Sequence, residues 1–259
     1  MAIQKKVRII AGNWKLHPQT YSEAREIFLA TRKAVDKTKG ILAIVCPPFL
    51  YIKEFAKLIV GKKNILLGAQ DTYFENEGAF TGEISPSQLA DIGATFVIVG
   101  HSERRLMGET DDTVNRKVKA SIKAGLSVIL CIGERERDEH ASYLTFIKNQ
   151  IHSALGAIPA VDLSKIIIAY EPLWAIGKDE SSAITPHDLH QMALFIRKSI
   201  AESYGTEAAF AIPILYGGSV GPHNTAEHLK AGVQGLLIGR ASADKKEITD
   251  IISIAHTSL

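Results

Sequence analysis

Eight short runs of near-continuous Val, Ile and Leu recur along the chain. They occupy 7–14 (VRIIAGNW), 41–48 (ILAIVCPP), 64–70 (NILLGAQ), 95–101 (TFVIVGH), 127–133 (SVILCIG), 165–171 (KIIIAYE), 213–218 (PILYGG) and 235–240 (GLLIGR). Runs this short and uniformly apolar predict strands covered on both faces, as in a parallel sheet. Between them, apolar residues return at helical spacing in 22–35, 49–60, 112–125, 142–155, 186–200, 224–232 and 246–255. The third of these stops at a glycine, and the fifth starts at Thr185-Pro186, a cap followed by proline in the first turn. Strands alternating with helices and joined by right-handed crossovers predict a parallel α/β fold. Eight such units in 259 residues predict a closed (β/α)8 barrel over an open doubly wound sheet. With no linker-like or low-complexity stretch, 1–259 reads as a single domain.

Composition narrows the function classes. Hydrophobic residues at 46% and charged residues at 22% are ordinary for a globular protein, and the net charge of +2 gives no footprint for nucleic acid or an anionic membrane. No apolar run reaches the length of a membrane span, and the N-terminal run is too short for a signal segment, so a cytoplasmic address is expected. Cys46 and Cys131 lie inside strand runs and read as buried thiols. No G-x-G-x-x-G follows the first strand and no G-K-[ST] occurs, which weakens nucleotide-binding readings.

In such a barrel the active site lies at the C-terminal ends of the strands. There the first strand delivers Asn13 and Lys15, the fourth His101 and Glu103, and the sixth Glu171. The seventh delivers Gly218 and Ser219, and the eighth Gly239 and Arg240. A glutamate in a covered pocket suits a base, a histidine can polarise a carbonyl, and a lysine can stabilise developing negative charge. Glycine-rich turns expose backbone N–H groups to phosphate. Together they suit proton abstraction beside the carbonyl of a small phosphorylated sugar, with no metal or organic cofactor implied.

At these residues the chain resembles the triosephosphate isomerase family, a TIM barrel family, along nearly its whole length. The segments that carry the resemblance are AGNWK (11–15), CPPF (46–49), GAFTGEISPSQLADIGATFVIVGHSERR (78–105), AGLSVILCIGE (124–134), AYEPLWAIG (169–177), YGGSV (216–220) and GLLIG (235–239). The resemblance implies interconversion of D-glyceraldehyde 3-phosphate and dihydroxyacetone phosphate through an enediolate. It implies Glu171 as base, His101 as neutral electrophile, and Lys15 and Asn13 on the substrate oxygens, with Glu103 adjoining. It implies a phosphate cradle of the Gly177, Ser219 and Gly239 amides beside Gly218, and a lid over 172–183. It also implies a homodimer in which the loop 72–83 docks near Asn13 and Lys15 of its twin.

The chain departs from the family pattern twice. The lid, AIGKDESSAITP, is about two residues longer and lacks the tip glycine, and Arg240 replaces a second glycine after the eighth strand. The latter leaves isomerisation of a tetrulose phosphate by the same chemistry as the alternative. A Schiff-base aldolase using Lys15 and a non-catalytic binding protein on the same fold are the readings from other classes. Arg104 and Arg105 read as structural partners of acids such as Glu109, Trp174 as a packing anchor of the lid hinge, and Cys131 as packing behind Glu171. His187 and His190 read as a solvated helix face, and ERERDEH (134–140) as a solvated helix start.

Overall fold

The computed structural model of the chain describes residues 7–175 and 184–259. Eight parallel strands close into a barrel in sequence order, with β8 pairing back onto β1. They are β1 Arg8–Asn13, β2 Ile41–Cys46, β3 Ile65–Ala69, β4 Phe96–Val99, β5 Ser127–Ile132, β6 Ile166–Tyr170, β7 Ile214–Tyr216 and β8 Gly235–Ile238. Each lies inside a run named from the sequence.

The helices are α1 Tyr21–Asp36, α2 Phe49–Leu58, α3 Pro86–Asp91, α4 Ser102–Leu106, α5 Asp111–Lys123, α6 Ser142–Leu155, α7 Pro186–Ala211, α8 Thr225–Lys230 and α9 Lys245–Thr257. Between β3 and β4 the sequence shows no helical period. The structure places α3 there, six residues long and started by a capping box between Ser85 and Gln88, too short to show a helical period. It also adds α4 and extends α7 eleven residues past the expected end, across a break at Gly205, whose φ of 81° favours glycine. Thr185 caps α7 as expected, its side chain accepting from the Asp188 amide.

Apolar residues fill two layers. One lies between the strands and the helices; the other fills the barrel, with Ile9, Ala11, Ile44, Ile98, Ile129, Ile167, Ala169, Leu215 and Leu237 among its members. The period of two along a strand extends those inward rows to the mouth. Ile9 and Ala11 lead to Asn13, Ile167 and Ala169 to Glu171, Ile129 and Cys131 to Gly133, Leu215 to Gly217, and Leu237 to Gly239. The inward face of the barrel thus turns polar or bare where the strands end.

Candidate active site

Glu171 is 3% exposed and follows the last residue of β6, its amide donating to the Ile132 carbonyl at 2.8 Å. Bare neighbours make its space. A Cβ on Gly133 would lie 1.9 Å from the Glu171 carbonyl oxygen, and one on Gly217 would lie 2.8 Å from its Cγ. The carboxylate is held at both oxygens. Ser102 N donates to Oε2 at 3.2 Å, and His101 Nε2 stands 3.2 Å from Oε1.

His101 caps α4 with its own side chain. The Glu103 amide donates to Nδ1 at 3.2 Å, so Nδ1 is an acceptor and the ring proton sits on Nε2, facing Glu171. The ring is 7% exposed and presents an N–H to the space between β4 and β6.

Lys15 carries a left-handed backbone, φ 53°, uncommon outside glycine and concentrated at functional sites. Three contacts hold it. Its amide donates to Asn13 Oδ1 at 3.0 Å, its carbonyl accepts from Gln70 Nε2 at 2.8 Å, and its Nζ pairs with Glu103 Oε1 at 2.5 Å. Gln70, which also donates to the Cys46 carbonyl, escaped the sequence reading; its position just past β3 was the available signal. Cys131 packs behind the base as expected, and burial together with the Glu171 carboxylate pushes its thiol well up. Cys46, equally buried and free, is pushed up to about 12.

Asn13, Lys15, His101 and Glu171 line one cleft of about 1010 Å³ with Gly218, Ser219, Gly239 and Arg240. Glu103 touches that group through Lys15. Gly177 and most of the expected lid, 176–183, lie outside the described residues. Arg240 opens a 3-10 turn, Arg240–Ala243, without a left-handed backbone, so this turn accepts a side chain where glycine was expected.

Other expectations are met in part. Arg104 and Arg105 pair with acids as expected, Asp71 at 2.8 Å and Asp111 at 2.6 Å, but not with Glu109, which is taken by buried Lys117. The segment 134–140 is not a helix start; α6 begins at Ser142. Its first residue, Glu134, is 1% exposed and gathers the foot of the lid. Its Oε1 accepts from Tyr170 Oη and Trp174 Nε1, both at 2.8 Å, and from Arg137 Nε at 3.0 Å. Trp174 is therefore anchored by a hydrogen bond as well as by packing. His187 and His190 are both exposed, as expected of a solvated helix face, and His190 Nδ1 also stands 3.1 Å from the Ala231 carbonyl.

The family model for triosephosphate isomerase matches residues 8–255. The triosephosphate isomerase of Geobacter metallireducens is 44% identical over 90% of this chain and 93% of its own length. That of Trichlorobacter lovleyi is 42% identical over 94% and 97%. The crystal structure of triosephosphate isomerase from Bartonella henselae superposes with a TM-score of 0.84 at 34% identity, covering 95% of this chain and 98% of that one. A closed eight-stranded barrel, a glutamate and a histidine facing each other at its mouth, and matches of this length lead to one conclusion: the chain belongs to the triosephosphate isomerase family.

Proposed function

We propose that the chain interconverts D-glyceraldehyde 3-phosphate and dihydroxyacetone phosphate, with Glu171 as the base. The observation that carries this reading is the buried Glu171 carboxylate set 3.2 Å from a histidine nitrogen whose proton faces it. A substrate entering between them replaces their mutual contact. Glu171 takes the proton from the carbon beside the carbonyl, and the electron pair moves onto oxygen. His101 Nε2–H and the Lys15 ammonium stabilise that oxygen, with Asn13 alongside and Glu103 steering the ammonium. Return of the proton to the neighbouring carbon completes the isomerisation, with no atom gained or lost. Low exposure of the base and acid–base partners suits this step, since it strengthens each interaction.

The phosphate sits across the turns after β7 and β8, on the Ser219 and Gly239 amides with Gly218 and the Arg240 amide beside them. The placement of Gly218, Ser219, Gly239 and Arg240 along the same cleft as Glu171 and Lys15 supports this reading. Lys15 as a Schiff-base nucleophile is disfavoured by its pairing with Glu103. Lys165 lies before β6, at the opposite end of the barrel, bound to Asp162.

The chain acts as one barrel domain and pairs with a second copy through 72–83. Exposed apolar side chains support association: Phe80 at 41%, Leu16 at 81% and Met107 at 77%. A single-subunit mass in sedimentation at full activity would remove the dimer. Among the described residues no helix is long and apolar enough to cross a membrane; two free buried thiols suit a reducing, cytoplasmic address.

The test is kcat/KM on glyceraldehyde 3-phosphate beside D- and L-erythrulose phosphates. The triose is expected to be preferred by at least about tenfold, the size of one lost favourable contact. Preference for a tetrulose would overturn the substrate assignment.

A further inference from the structure

The cleft holds two permanent cations among the described residues, and they differ in commitment. Lys15 is bound to Glu103 at 2.5 Å. Arg240 lines the same cleft, is exposed, and makes no hydrogen bond or ion pair among the described residues. It follows Gly239 directly, with its backbone set by the 3-10 turn Arg240–Ala243. Two carboxylates, Glu227 and Glu247, line the same cleft, yet neither pairs with it among the described residues. An uncommitted guanidinium beside a turn assigned to one phosphate has an open fork of donors and no acceptor.

We infer that Arg240 forms a second anion subsite, outward of the phosphate cradle, that takes the distal phosphoryl group of a short ligand bearing two of them. The subsite rests on the reading that the turns after β7 and β8 hold the first phosphate. Its ligand class is a compact diphosphoryl anion, with inorganic pyrophosphate as the simplest probe. The inner phosphoryl group lies on the Ser219 and Gly239 amides, and the outer one accepts the guanidinium fork. Glu227 and Glu247, which line the same cleft, oppose a longer polyanionic chain.

The experiment compares inorganic phosphate and pyrophosphate as competitive inhibitors of the isomerase at constant ionic strength, in the native chain, Arg240→Gln and Arg240→Lys. In the native chain pyrophosphate is expected to compete about tenfold better than phosphate, as one charge-assisted bidentate contact warrants. In Arg240→Gln the two anions converge to within about twofold, and Arg240→Lys, with charge but no fork, falls between. Equal inhibition in the native chain, or an advantage that survives in Arg240→Gln, overturns the subsite. Failure of phosphate itself to compete overturns the cradle reading as well, whereas competition by phosphate with no advantage for pyrophosphate overturns the subsite alone.

Discussion

At the ends of β1, β4 and β6 the barrel mouth is built from side chains, and at the ends of β7 and β8 it is built from backbone. On the first side Asn13, His101 and Glu171 are 4%, 7% and 3% exposed and bound to one another or to nearby amides. On the second stand Gly217, Gly218 and Gly239, with an exposed arginine at the edge. Proton transfer needs titratable groups held at one distance, so that side is crowded and fully bonded. An anion needs close approach to N–H groups, so the other side is bare. Between the sides Gly217 serves both, since its missing Cβ leaves room for Glu171.

Substitutions can break that division. The largest expected effect is at the histidine: His101→Ala removes the Nε2–H and should lower kcat by roughly 10²–10⁴-fold. Its KM should stay close to native, because the backbone side is untouched; steady-state kinetics checks both. Gly217→Ala crosses the divide. Its Cβ would lie 2.8 Å from Glu171 Cγ, too close to stand, so the base must shift from its held position. A loss in kcat of about 10²-fold is expected, with near-native thermal unfolding.

His228 gives a pH test on the backbone side. Its ring is 2% exposed, lies 4.3 Å from the Tyr216 ring, and has no hydrogen-bond partner for either nitrogen among the described residues. Burial, with His223 nearby, pushes its pKa from 6.5 down to about 4. The unfolded chain therefore takes up the proton first as pH falls. Stability is complete above pH 6.5 and declines from there to pH 4, by roughly 1–3 kcal/mol. Denaturant unfolding of His228→Leu should show this part of the slope removed, and a slope equal to native would discard the assignment. The smallest effect is expected at the lid foot. Trp174→Phe removes one of three donors to Glu134 Oε1 and should cost about 1 kcal/mol in the same assay.

The two sides also differed in how far the sequence exposed them. Barrel and strands were legible because continuous apolar runs have few other uses, and Glu171 stood out as a charge at the end of one. What short elements do was not: α3 is one capped turn and a half, with no period to read. Charge alone misled at Glu134, where a cluster of charged residues looked solvated while tertiary contacts with Tyr170, Trp174 and Arg137 buried its first member. Arg104 found Asp71 by chain folding, whereas Arg105 found Asp111 nearby in sequence. Glycines of the backbone side pointed to phosphate only as a class, through their exposed N–H groups; the individual amides came through the family resemblance, and the space they leave became visible only in three dimensions.

The most direct test is Glu171→Gln, read twice: kcat on glyceraldehyde 3-phosphate, and the competitive inhibition constant of inorganic phosphate. If proton transfer and anion binding are housed on separate sides, kcat falls by roughly 10²–10⁴-fold while phosphate inhibits as it does the native chain. Turnover within a few-fold of native, or a loss of phosphate inhibition that matches the loss of turnover, would contradict the account.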